Sequence, residues 1–161
     1  MRFSDGVEWS IHSCLVLAEL PEGVGLPVAR LAEYHELPAA YLAKHMQALS
    51  RAGIVTSIPG RGGGYRLSRP AGQITIAEVV TAIEGARSAF RCTEIRRRGP
   101  GALEPCRYVT ACLVARTMAG AERAWQEELA RWTLADLAFT PSTEDYQKMS
   151  DWLSRVLKQA G

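Results

Sequence analysis

Apolar and polar positions follow a helical period over most of this chain, broken by one short stretch of a different pattern. Val7, Ile11, Leu15 and Ala18 recur at helical spacing, which predicts a helix from Asp5 to Leu20. Asp5 is placed to cap it, and Pro21 with Gly23 and Gly25 ends it. A short helix follows from Pro27 to His35, with Pro27 at its first position and Val28, Leu31 and Ala32 inward. After Leu37-Pro38 a third helix runs from Pro38 to Ala52, with Leu42, Met46 and Leu49 on one side and Gly53 fitting its C-terminal cap.

At Ile54 the pattern changes. Ile54 to Ile58 is a β-type run, followed by Pro59-Gly60-Arg61-Gly62-Gly63-Gly64 and then Tyr65 to Ser68, which together predict a hairpin. A fourth helix spans Thr75 to Glu84, opened by a capping box of Thr75 and Glu78. Residues 86–110 show no periodicity and contain Gly99-Pro100-Gly101 and Pro105, so they read as a long loop, a length that usually signals function or disorder. From Ala111 to about Ala138 a long helix carries Val114, Met118, Ala121, Trp125, Leu129 and Trp132 along one side. At 1.5 Å per residue it would be about 40 Å long, more than one small domain covers, so a partner chain is expected on its apolar stripe. Pro141 breaks this helix, and Ser142 starts a final one with Tyr146, Met149, Leu153, Val156 and Leu157 inward.

The expected fold is therefore mainly α with a small β-hairpin wing. A winged helix–turn–helix domain occupies 1–85, a loop 86–110, and a dimerisation helix with a C-terminal helix 111–161. The 161 residues are 47% hydrophobic and 22% charged, which excludes wholesale disorder and collagen-like repeats. Apolar runs such as Ile11 to Ala18 are too short to span a bilayer, and Met1 to Asp5 lacks the apolar core of a secretion signal. The expectation is a cytoplasmic protein with no membrane partner.

Charge sharpens the picture once it is placed along the chain. The net charge is only +2, yet residues 38–72 hold Lys44, Arg51, Arg61, Arg66 and Arg69 and no acid. Residues 86–110 hold six arginines against Glu94 and Glu104. Such segments are solvated faces or phosphate-attracting surfaces. A helix–turn–helix followed by a basic hairpin places its second helix in the major groove. The candidate DNA contacts are Ala39, Ala40, Tyr41, Lys44 and His45 on that helix, with Arg61, Gly62, Gly63 and Tyr65 on the wing. Enzymatic activity finds no support: there is no Ser/His/Asp arrangement, and Gly60 to Gly64 lacks the Gly-Lys-Ser/Thr of a phosphate loop.

The four cysteines are too few for a disulfide scaffold. Cys14, on the apolar stretch Cys14 to Leu17, reads as a core thiol. Cys92, Cys106 and Cys112 lie in the loop or at the mouth of the long helix, near basic residues that favour thiolate, the form that binds iron. The residues alone leave three readings open: structural thiols, a thiol switch, or a metal site. On the first helix Glu8 and His12 are four apart and share a face, with Trp9 beside Glu8. Equally, Glu8 is the partner of Asp5 in a capping box, His12 a partly buried histidine, and Trp9 a core or interface tryptophan.

The stretch Leu31-Ala32, Tyr41-Leu42, Leu49, Ala52 to Val55 and Gly60 to Leu67 resembles the DNA-binding domain of the Rrf2 family, and Ile74 to Val80 with Ile83 to Gly85 resembles the family's next helix. This bacterial family includes an iron–sulfur cluster regulator and a nitric-oxide-sensitive repressor. The resemblance implies a homodimer on a near-palindromic double-stranded DNA operator, and a cluster held by cysteines of the loop. Cys106 and Cys112 keep the common six-residue separation, whereas Cys92 lies fourteen residues before Cys106, a longer gap than usual, and stands in reserve. The set Glu8, Trp9 and His12 with two cysteines is similar to the family's redox-sensing members. It implies a [2Fe–2S] cluster, in preference to [4Fe–4S], bridging the dimer through Cys106 and Cys112 of one chain and Glu8 and His12 of the other, with Trp9 as relay to the DNA-binding helices. The expected function is redox-sensing transcriptional regulation, as a repressor. The alternatives are a cluster-free regulator sensing through thiols or nitric oxide, and a small iron–sulfur electron carrier, which would need no acid-free basic helix and wing.

Overall fold

The computed structural model of the chain describes residues 3–60 and 63–160, with the side chains of Cys106 and Ala160 outside that description. Helix α1 is Asp5–Ala18. Its cap is Ser4, not Asp5: Ser4 has extended backbone angles, and Asp5 is already helical. The backbone N–H and the hydroxyl of Ser4 both donate to Glu84 Oε1, at 2.8 and 2.7 Å. The start of α1 is thereby tied to the end of a later helix, and Glu8 forms no capping box with Asp5.

Helices α2, Val28–Tyr34, and α3, Ala39–Arg51, follow from their prolines, since Pro27 and Pro38 each cap with extended backbone. The tight turn between them needs Glu36 in the left-handed region, at φ 53°, and is closed by Leu37 N–H donating to Ala32 O at 2.8 Å. The expected apolar positions are the buried ones: Leu31 and Ala32 on α2, and Leu42, Met46 and Leu49 on α3.

Strands β1, Val55–Ile58, and β2, Gly64–Leu67, pair antiparallel, with Val55 opposite Leu67 and Ile58 opposite Gly64. Tyr65 also exchanges two backbone hydrogen bonds with Leu26, each 2.8 Å, which fastens the hairpin to the chain ahead of α2. The contact demands glycine beside it. Gly64 has φ +142°, and a Cβ there would stand 2.2 Å from the Leu26 carbonyl carbon. Helix α4, Ile76–Glu84, opens with the expected reciprocal capping box of Thr75 and Glu78. Arg69 binds Glu78 Oε1 at 2.5 Å and the Gly53 carbonyl at 2.8 Å, so this basic residue serves the fold.

Helix α5 is Leu113–Ala130 and ends well before the expected Ala138. Its 18 residues span about 27 Å. The reason is a competing attachment. The Trp132 carbonyl accepts from Ile76 N–H at 2.8 Å, and Leu134 N–H donates to Ile74 O at 2.9 Å. Asp136 Oδ2 accepts from both Thr133 N–H and Thr133 Oγ1, at 2.7 and 2.6 Å. These bonds draw the chain back so that Leu134 is fully buried, and Trp132 leaves the helical stripe. Helix α6, Glu144–Ala160, buries Met149, Leu153 and Val156 in the same core. That core gathers Val16, Leu31, Leu42, Met46, Leu49, Ile54, Val79 and Leu134 around α1, α3 and α4. Among the described residues, no helix is long and apolar enough to cross a membrane.

Candidate DNA interface and loop thiol site

Helix α3 presents Ala39, Ala40, Tyr41 and Lys44 to solvent at its N-terminal end. Tyr41 is 58% exposed, and Lys44 Nζ lies 5.1 Å from the centroid of its ring. A cation over an aromatic face, at the free N–H end of a helix that itself carries no acid, suits phosphate and base edges. His45 does not share this surface. Its half-buried ring meets Trp9 of α1 edge to face, with centroids 5.9 Å apart and planes at 78°. One step along a helix turns a side chain by about 100°, which is enough to carry residue 45 from the outer face to the inner one.

On the wing, Arg61 and Gly62 lie outside the described residues. Gly63 donates its N–H to Gly60 O at 2.9 Å, and a Cβ on it would stand 2.2 Å from Ile58 O, so the turn requires glycine there. Tyr65 is half-buried, packed against the core and bonded to Leu26. The structure makes it the anchor of the wing rather than part of its exposed tip.

The loop before α5 contains two short 3-10 turns, Ile95–Arg97 and Pro105–Arg107, and is otherwise irregular, as expected. Arg96 organises it. Its Nε binds Glu94 Oε1 at 2.5 Å, its Nη2 donates to Thr110 O at 3.2 Å, and its carbonyl accepts from the Tyr108 hydroxyl. Cys112 lies at the edge of the surface, 9% exposed, and caps α5, its carbonyl accepting from Arg116 N–H at 3.0 Å. The backbone N–H groups of Ala115, and then Val114, act on its sulfur, and Arg96 adds positive charge. Together they outweigh desolvation and hold the thiol below its ordinary value. Cys92 is exposed and accepts from Glu94 N–H at 3.4 Å, within the same Arg96-centred loop. Cys106 lies in the second 3-10 turn. Cys14 is fully buried, and burial pushes its thiol up to about 12, which makes it the expected neutral core thiol.

Glu8 and His12 are exposed on α1, whereas Trp9 is half-buried against the core. Among the described residues, no three His, Cys, Asp or Glu side chains gather into a group that would hold a metal ion. Within one chain, therefore, the α1 pair and Cys112 are not brought together. His12 instead approaches His35, at the end of α2, with ring centroids 6.1 Å apart. His35 meets Tyr34 at 4.8 Å, and Tyr34 meets Trp152 of α6 at 4.6 Å. The sequence reading did not single out His35, Arg96, Tyr108 or Gly6. Arg96 is one of three consecutive arginines, and His35 ends a helix with no motif around it, so neither carries a local signal.

A short helix, a tight turn, an exposed second helix and a glycine-cornered hairpin define a winged helix–turn–helix protein. Residues 3–140 match the family described as "Rrf2: Iron-dependent Transcriptional regulator". The chain belongs to the Rrf2 family of DNA-binding transcriptional regulators. Solved structures share the architecture. CymR (YrzC), the global cysteine regulator of B. subtilis, superposes with a TM-score of 0.62 at 25% identity, covering 86% of this chain and 96% of that one. T. potens IscR gives 0.62 at 19% identity, covering 85% of each chain. The oxidized form of Staphylococcus aureus CymR gives 0.62 at 22% identity, covering 89% of this chain and all of its own.

Proposed function

We propose that this protein is a homodimeric, redox-sensing repressor that binds a near-palindromic operator through α3 and the wing, and whose affinity is set by an iron–sulfur cluster of the [2Fe–2S] type. The observation that carries this reading is the environment of Cys112, a sulfur held toward thiolate at the N-terminus of α5 beside Arg96. The donor chemistry fits such a group. Cys112 supplies a stabilised thiolate, Cys106 lies six residues earlier in the same loop, and α1 offers an exposed carboxylate and imidazole at Glu8 and His12. When bound, the group supplies a one-electron couple, raised in potential by imidazole ligation. The family resemblance assigns Glu8 and His12 to the site of the second subunit, and their separation from Cys112 within one chain agrees with it. Cys92 stays in reserve as a ligand.

The protein's own residues then do three things. Cys106 and Cys112 tie the mouth of α5 to the site. Glu8 and His12 tie α1 of the other subunit to it. Trp9, between those two ligands and packed inward on the core, carries any shift of α1 toward the helix–turn–helix. Dimerisation is supported by the upper half of α5, where Leu113, Val114 and Met118 stand exposed on a helix whose lower residues Trp125 and Leu129 pack on the core. The exposed thiol of Cys92, in the same loop that leads to Cys112, favours a second reading, a cluster-free thiol switch. Iron and acid-labile sulfide analysis of anaerobically purified protein separates the two. The proposal expects both elements and a visible spectrum, lost in Cys106→Ala and Cys112→Ala. Iron-free protein whose DNA binding responds to thiol oxidants would establish the second reading instead.

A further inference from the structure

Gly6 is buried in the first turn of α1, where alanine would be the better helix former. The structure shows that any side chain there would force the His45 ring to shift. A Cβ on Gly6 would stand 2.3, 2.7 and 2.9 Å from Cε1, Nε2 and Nδ1 of His45. The imidazole of α3 therefore presents its Cε1 edge to a gap in α1. Trp9, one turn further and on the same side of α1, closes that gap with its ring 5.9 Å from the His45 centroid. His45 is thus a knob of the recognition helix seated in a hole of α1, while its neighbours Tyr41 and Lys44 face outward. A close-packed joint of this kind does not deform smoothly: if α1 shifts, it carries the ring, and α3 with it, or expels it.

We infer that the Gly6–Trp9–His45 joint is the element through which movement of α1 reaches the recognition helix, and that His45 is a positioning residue for DNA contact rather than a reader of bases. Glu8 lies between Gly6 and Trp9 in sequence, and His12 lies about one turn beyond Trp9. The joint's signalling role rests on the proposal that Glu8 and His12 face the sensing site, whereas its mechanical role does not.

The test uses the full chain and a labelled duplex enriched by the wild-type protein from random-sequence DNA, with affinity read by fluorescence anisotropy. In metal-free protein, Gly6→Ala is expected to weaken binding about tenfold, because an overpacked joint must shift. The double variant Gly6→Ala/His45→Ala is expected to return to the affinity of His45→Ala alone, and to its melting temperature, since the clashing ring is gone. Wild-type affinity in Gly6→Ala, or a defect in binding or folding that His45→Ala does not relieve, overturns the joint. In protein purified with its metal site loaded, the ratio of affinities between oxidised and reduced states is expected to fall to within about twofold of unity in His45→Ala with the visible spectrum retained. His45→Phe, which keeps an aromatic edge on Trp9, is expected to preserve the ratio. A full ratio in His45→Ala overturns the signalling role. A ratio of one in the wild type overturns the cluster reading instead, and the metal-free comparison then decides the joint.

Discussion

Cys14 and Cys112 carry the same side chain in opposite surroundings. Cys14 is enclosed by apolar groups that disfavour charge, so its thiol rises to about 12. Cys112 faces the N–H groups of Ala115 and Val114 with Arg96 beside them, so its thiol falls. Thiolate is the reacting form, so a lowered value moves the onset of alkylation to lower pH. In metal-free protein, iodoacetamide followed by mass spectrometry is expected to label Cys112 at a pH below that of a free thiol. Arg96→Ala should raise that onset. Cys14 is expected to stay unlabelled until the protein unfolds, and early labelling of Cys14 would contradict its placement. The apolar neighbours Leu15 to Leu17 already identify Cys14 as a core thiol in the sequence. The Arg96 contact is not legible there, because it depends on a loop with no periodicity. Residues 44 and 45 differ in the same way. Both are polar and adjacent on one helix, and only the position of α1 decides that Lys44 meets solvent and His45 meets Gly6 and Trp9.

At the scale of elements, the starts of α2, α3 and α4 are legible in the sequence to within a residue because Pro27, Pro38 and the Thr75–Glu78 box act within a few positions, whereas the cap of α1 falls on Ser4, which a distant Glu84 holds. The end of α5 falls earlier than the apolar period predicts because its terminator is distant in sequence. The bonds from Ile74 and Ile76 to residues 132–134 are invisible to any local pattern. Leu134→Ala is therefore expected to cost about 2–5 kcal/mol in urea unfolding, the range for a fully buried leucine, although the position lies in a short non-helical stretch. A cost below 1 kcal/mol would show that this attachment does not hold the core. On α3, Lys44→Ala is expected to reduce the slope of log affinity against log salt by about one, as loss of one phosphate contact does. An unchanged slope would remove Lys44 from the backbone-contacting set.

At the scale of the whole molecule, half of α5 has its apolar residues covered within the chain and half does not. Met118 is 42% exposed and Val114 59%, while Trp125 and Leu129 pack against the core. If the upper half is a dimer interface, Met118→Glu is expected to convert the protein to monomer in sedimentation velocity and to weaken operator binding. A dimer of undiminished stability would place the interface elsewhere. The sequence by itself determined the order of elements, the inward faces of the helices, the glycine-cornered wing and the core thiol, because spacing and backbone chemistry act over a few residues. Only the tertiary structure decided which polar residues look outward. It turned His45 onto α1, made Tyr65 an anchor, gave Arg69 to Glu78 and ended α5 early, because each outcome depends on a surface supplied by a distant part of the chain.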